Sequence, residues 1–277
     1  MRTRLAFGLS LLAALSLAAG SRTETKSFKL ASGSGLTVKT ANSPITVKGW
    51  DKEEVALQAD IYDTEERPVT VEAREAAGKL EIEAVFTKSE GWGWNLGRGP
   101  SCAFTLSVPR RLEAEFRTSN APLTVSNLSG RLVFRTSNAP MNLSSLGGDV
   151  EARTSNAPLV AREVAGDLRG STSNAPLRLE NVTGGLDFTT SNGSVSAKGL
   201  DGQGKGIRLM TSNASMTVEL GKAAGELVAH TSRHEAISFH RSGAEQVEID
   251  KGQMRAKLPG SSQRIELKTS NGGIEIR

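Results

Sequence analysis

Three histidines, His230, His234 and His240, lie within eleven residues and are the only ones in the chain. Imidazoles gathered across a turn would form a transition-metal site, and His234-Glu235 opens like the zincin motif. The second His of that motif is absent and no helical pattern runs through the segment. Solvated surface histidines are therefore the expected state, and no metal ligand is assigned. Trp92 and Trp94 stand in the Gly-rich run from Gly91 to Gly99, with Asn95 and Arg98 beside them. Indoles in such an excursion stack on sugar rings or enter a membrane interface, or they fold back and cover the protein's side. These four residues form a candidate ligand-binding loop. Its glycine spacing is not a nucleotide fingerprint, and Gly202-Gln203-Gly204-Lys205-Gly206 lacks the Ser/Thr of a phosphate loop.

Arg117, Arg135 and Arg153 recur at 18-residue intervals. Stacked in parallel they would stand about 5 Å apart and repel unless anions or acids intervene. They are a candidate anion-binding ladder for an acidic polysaccharide, with Glu115 and Glu151 as the competing internal partners. Asp149 and Asp167 recur in the same way, with Asp187 slightly displaced. Paired carboxylates on adjacent strands are what polysaccharide hydrolysis needs, yet acids beside glycines are also ordinary turn chemistry. No Ser-His-Asp order is present, so no catalytic residue and no cofactor is assigned. Cys102, next to Phe104 in a strand pattern, reads as a small buried hydrophobe.

The elements that position these residues follow from the rest of the chain. It has 277 residues, 37% hydrophobic but only 4% aromatic, and a net charge of +4 from 34 basic and 30 acidic side chains. The apolar fraction can fill a core, and the small, interspersed positive excess argues against a nucleic-acid partner. A single Cys rules out an internal disulfide. Arg2 and Arg4 precede the apolar run Leu5 to Ala19, and Ala18 and Gly20 suit a signal peptidase. Residues 1–20 read as a signal peptide, since a fifteen-residue apolar run is short for a span of about 20. The expectation is an exported protein of the periplasm, cell envelope or extracellular space, with no transmembrane segment in the mature chain.

Internal repetition dominates the mature sequence. Thr-Ser-Asn begins at 118, 136, 154, 172, 190, 211 and 269, at intervals of 18, 18, 18, 18, 21 and 58. A degraded copy stands at Thr231-Ser232-Arg233, an early relative at Thr40-Ala41-Asn42, and Lys251-Gly252-Gln253 fills a further slot before Thr269. Each unit's sixth place holds Leu123, Met141, Leu159, Leu177, Val195 or Met216, and its eighth Val125, Leu143, Ala161, Leu179, Ala197 or Val218. Gly130, Gly148, Gly166, Gly184 and Gly202 occupy the thirteenth place. Period-two apolar patterning with turn residues between gives two short strands per unit. Equal spacing stacks like on like, which predicts an all-β, single-domain parallel β-solenoid of 18–21-residue rungs, right-handed as parallel crossovers are. Asn120, Asn138, Asn156, Asn174, Asn192, Asn213 and Asn271 then form a turn ladder, each tolerating a left-handed backbone. Residues 21–35 read as a lead-in, 36–117 as irregular rungs of the same solenoid, and 118–277 as the regular array. Ile274-Glu275-Ile276-Arg277 reads as an uncapped terminal strand, open to end-to-end self-association.

The pattern Thr-Ser-Asn-(Ala/Gly)-x-apolar-x-apolar, followed by apolar-x-Gly-x-apolar, resembles the bacterial putative-adhesin domain family, similar in style to the head-GIN adhesin domain. Asn192-Gly193-Ser194-Val195 and Asn271-Gly272-Gly273-Ile274 are most like its usual turn, whereas Ala121-Pro122 departs from it. The resemblance covers residues 36 to 277 and implies an exported β-helix of undetermined biochemical activity, with no catalytic residues to carry over. The resulting expectation is a non-enzymatic, adhesin-like binding or scaffold protein with an envelope glycan or protein as partner. A self-associating structural solenoid and a polysaccharide-active β-helix enzyme are the alternatives.

Overall fold

The computed structural model describes residues 20–87, 100–203, 205–232 and 235–277. They are all-β: 23 strands joined in a single hydrogen-bonded sheet, with no helix among the described residues and so none long and apolar enough to cross a membrane. Two parallel ladders run through the repeat. In one, Leu123, Met141, Leu159, Leu177, Val195 and Met216 are register partners in sequence. In the other, Leu132, Val150, Leu168, Leu186 and Ile207 are aligned in the same way. Both rows are buried, Leu159 and Leu168 completely, and belong to one continuous core. Alternation puts every second side chain inside, so each unit's apolar face is covered by its neighbours. Each such aliphatic side chain contributes roughly 1.5–3 kcal/mol on burial.

The corner at Thr-Ser-Asn is built from contacts between units. Ser137 and Asn138 both donate their N–H groups to Ser119 C=O, at 3.1 and 2.8 Å, and the pattern repeats down the array. The Thr side chains are buried, and Thr211 Oγ1 donates to Gly193 C=O at 3.1 Å. The expectation of a left-handed backbone at these Asn residues is corrected. Positive φ falls instead at Asn127, Ser145, Glu163 and Asn181, the tenth place of each unit. The corner takes its bonds from the unit below and needs no tight turn of its own. At the tenth place the left-handed residue lies within the run of the strand, as Asn127 does in Leu123–Arg135 and Ser145 in Met141–Arg153.

The order of units at both ends also departs from the spacing. The 58 residues between Thr211 and Thr269 contain no intervening unit, because Ile207 pairs with Ile265 and Met216 with Ile274. The strand Gly225–His230 lies on the far side of Arg264–Lys268, and Gln253–Leu258 runs antiparallel to it. Lys251-Gly252 is therefore a hairpin turn rather than a repeat slot. Ile274–Ile276 is not a bare edge, since it is held between Met216–Glu219 and Ile237–Phe239. The other end mirrors this. Ile45 and Leu36 pair directly with Leu123 and Ala114, while Glu54–Asp63 runs antiparallel to both Ser101–Pro109 and Gly20–Lys29. A parallel array ends in unpaired backbone, and antiparallel excursions at each end shield it.

The two outermost strands at the first end, Gly20–Lys29 and Val69–Ala76, are tied by side chains. Arg22 donates to Asp63 Oδ2 at 2.6 Å and to Val69 C=O at 2.8 Å, and Lys26 Nζ donates to Val71 C=O at 2.8 Å. Val69 N–H also donates to Asp63 at 3.0 Å. Burial pushes the Asp63 carboxyl up, but the Arg22 hydrogen bond, the Val69 N–H and the Arg22 charge outweigh it and hold it below the ordinary carboxylate range. A carboxyl whose folded pKa is depressed adds stability above its unfolded pKa of about 3.9, and that contribution is lost as pH falls through the folded value. Asp63→Asn is expected to cost about 2 kcal/mol at pH 7, less than a fully buried pair because the Arg22 side chain keeps 23% exposure. Urea titrations at pH 7 and below pH 3 check this: the gap between variant and wild type must shrink in acid.

Candidate functional site

Lys39, Arg117, Arg135 and Arg153 stand side by side on the outer face of one ladder. Each contacts a carboxylate within the protein. Glu151, with a side chain 16% exposed, lies 3.2 Å from Arg135, 3.3 Å from Arg153 and 3.7 Å from Arg169. Glu115 takes Arg117 at 3.0 Å and Lys39 is bound to Glu81. Three carboxylates are thus shared among five cations, so the row is partly neutralised from within the protein. Farther along, Asp167 is bound by Lys205 and accepts Gly185 N–H at 2.9 Å, while Asp187 meets Arg208 at 3.4 Å. The Lys205 hydrogen bond holds the Asp167 carboxyl below its ordinary range, against the opposing effect of burial. An acid catalyst needs the opposite shift. Asp167, Arg169, Asp187, Arg208, Arg264 and Glu266 border a shallow hollow of about 380 Å³ with mixed charge.

The remaining candidates separate. His230 ends a strand of one ladder, beside Lys268, whereas His240 follows Ile237–Phe239 and donates its N–H to Ile276 C=O. His234 lies outside the described residues, and among the described residues no group of three His, Cys, Asp or Glu could hold a metal. Cys102 is 1% exposed, and burial pushes its thiol up to about 12, which leaves it unreactive. Trp92, Trp94, Asn95 and Arg98 also lie outside the described residues.

The Asn residues form one continuous chain of side-chain amides. Asn271, Asn213, Asn192, Asn174, Asn156, Asn138 and Asn120 each donate Nδ2 to the Oδ1 of the unit before, at 2.7–2.8 Å, ending on Asn42. Every amide points the same way. The Asn42 end runs into a concave corner, because strands Ser101–Pro109, Glu54–Asp63 and Gly20–Lys29 extend past the turn that the other units make. Their ends align Ser101, Tyr62 and Ser21 across the sheet. With Asn42, Asn120, Asp60 and Pro44 they line a hollow of about 650 Å³, within the range of small-ligand sites. The sequence marks Asn42 through Thr40-Ala41-Asn42, but nothing local marks Asp60 or Tyr62, whose place depends on antiparallel pairing.

No protein-family model and no curated protein matches the chain. Among solved structures, a putative cell adhesion protein from Clostridium sporogenes is 11% identical, with 92% of this chain and 98% of that chain covered and a TM-score of 0.28. A putative adhesin from Bacteroides fragilis is 9% identical over 92% and 97% of the two chains, with a TM-score of 0.41. A putative lipid binding protein from Parabacteroides distasonis is 15% identical over 92% and 96%, with a TM-score of 0.46. Likenesses this distant carry no argument about function.

Proposed function

We propose that the chain is a right-handed parallel β-solenoid of the adhesin-like kind, exported behind residues 1–20, and that it serves the cell envelope as a non-enzymatic binding module. Its partner on this reading is an envelope glycan or protein, with no nucleic acid involved. The observation that supports it is the unbroken register of like residues over successive units, which sets out acids, bases and hydroxyls as flat rows repeating at about 4.8 Å. Such a lattice fits an extended polymer or a broad surface better than a small substrate. The depressed Asp167 carboxyl and the Arg-bound acids beside it weigh against the hydrolase alternative. Residues 36–117 belong to the same solenoid on this reading, with Trp92 and Trp94 as a second contact.

Pull-down from intact envelope, followed by sugar and protein analysis of the retained material, tests it. Wild type should retain a defined component, and reversing the mixed-charge row with Arg169→Glu and Arg208→Glu should cut retention about ten-fold, or 1.4 kcal/mol. Retention of nothing would overturn the reading. Turnover of an acidic polysaccharide abolished by Asp167→Asn would replace it with the enzyme. Self-association keeps one supporting feature: the edge strand Glu245–Asp250 exposes Val247 and Ile249, at 43% and 54%. A wild type that stays monomeric in light scattering at high concentration removes that alternative.

A further inference from the structure

We infer that the 650 Å³ corner hollow binds an N-acetylated amino sugar, whose acetamido group continues the asparagine ladder by one more amide. The ladder is polar along its length. Each Nδ2 donates toward Asn42, so the acceptor end stops at Asn271 Oδ1 and the donor end at Asn42 Nδ2. Asn42 accepts from Asn120 at 2.8 Å, and its own Nδ2 has no partner among the described residues. Hydrogen bonds in a row polarise one another, so this terminal donor is stronger than that of an isolated amide. The group that fits it must accept on the Asn42 side. If it also carries an N–H, it repeats the geometry that each amide already offers the next. An acetamido group has both functions.

The rest of the hollow selects a sugar ring to carry that amide. Asp60 accepts Thr23 Oγ1 at 2.8 Å and Gln58 Nε2 at 3.1 Å, and its carboxylate retains lone-pair capacity for an N–H or hydroxyl. Ser21 and Ser101 add hydroxyls that both donate and accept, which matches a polyol. The half-buried Tyr62 ring with Pro44 and Pro122 supplies apolar wall for the C–H face of a pyranose. Arg22 also borders the hollow but is committed to Asp63 and Val69 C=O, so its guanidinium is not available to a ligand there. A peptide Asn or Gln could offer the same amide. It would leave the surrounding hydroxyls unmatched, so the sugar is the occupant assigned.

This inference rests on the glycan branch of the proposed function, and the test separates the two. Calorimetric titration of the full chain uses N,N′-diacetylchitobiose, with cellobiose as the analogue lacking acetamido groups and an acetylated asparagine tripeptide as the protein-like probe. Diacetylchitobiose is expected to bind about ten-fold or more tighter than cellobiose and than the tripeptide. Asn42→Asp still accepts from Asn120 but has no donor, and it should lose at least about ten-fold in affinity. Asn271→Asp, at the opposite end, should bind as wild type does. Because Asn42 is exposed, thermal unfolding of Asn42→Asp should match wild type, so lost binding is not lost fold. Equal binding of cellobiose, preference for the tripeptide, no sugar binding at all, or undiminished binding by Asn42→Asp would each overturn the inference. Envelope retention that survives in Asn42→Asp while sugar binding fails would leave the proposed function standing without this site.

Discussion

Leu159→Asp will lower the unfolding free energy by on the order of 4–5 kcal/mol, a large share of the roughly 5–15 kcal/mol of an ordinary domain. Leu159 is fully buried between its register partners Met141 and Leu177 and belongs to the continuous apolar core, so a carboxylate there finds no counter-charge. The alternative to an unpaired buried charge is a neutral acid in an apolar site, which is still costly. Stacked units depend on nearest neighbours, so the damage should spread to both sides rather than stay in one strand. Val160→Asp, one residue on and partly exposed on the outer face, is the control and should change stability by less than about 1 kcal/mol. Urea unfolding of the three proteins decides it. A Leu159→Asp protein within about 1 kcal/mol of wild type would mean the sixth place does not face the core.

The regular units were readable because two independent signals coincided there. Alternation at Leu123-x-Val125 or Leu177-x-Leu179 says which side chains face inward, and the 18-residue interval says which residue of the next unit lies alongside. Where the interval lapses, only the first signal remains. Ile265 and Leu267 alternate as a strand should, but nothing near them indicates that their partners are Ile207 and Leu209, 58 residues earlier. Antiparallel cover is invisible for the same reason. Glu54–Asp63 reads as one more strand, and its reversed pairing with Ser101–Pro109 is decided by what the end of the array leaves unpaired.

The candidate sites were legible to the same extent. The arginine row was visible as a repeat, and so were Glu115 and Glu151, because a fixed interval puts both sets on one face. The corner hollow was not, because it exists where repetition stops. Its residues come from five separate segments, around Ser21, Asn42, Asp60, Ser101 and Asn120, and only those of Asn42 and Asn120 share a local pattern. Asn alone does not mark the left-handed positions: Asn127 and Asn181 hold them, whereas the Asn residues of the Thr-Ser-Asn corners do not. Glu163 and Ser145 hold such positions through the register of their neighbours rather than through side-chain preference.

Gly148→Ala should destabilise the chain by about 3 kcal/mol or more, the second largest effect expected of a single substitution. Gly148 has φ of +86°, and a Cβ built on it would stand 2.4 Å from Gly130 C=O and 3.0 Å from Gly130 N. Both are backbone atoms of the preceding unit, locked in the ladder, so neither can swing aside as a flexible side chain would. Gly166 repeats the arrangement, its Cβ position 2.2 Å from Gly148 C=O, so a shift that relieves one contact tightens the other. Conformational strain and steric overlap are separable by comparison with Gly78. That residue also has positive φ, +75°, beside Ala77 in the hairpin turn before Lys79–Phe86, but a Cβ there meets nothing within 4 Å. Gly78→Ala therefore reports the left-handed strain alone, about 1 kcal/mol. The excess at Gly148 measures how closely adjacent units approach. If the two variants lose equal stability in urea titration, the glycine row reflects turn geometry only, and close stacking does not explain why glycine recurs at the thirteenth place.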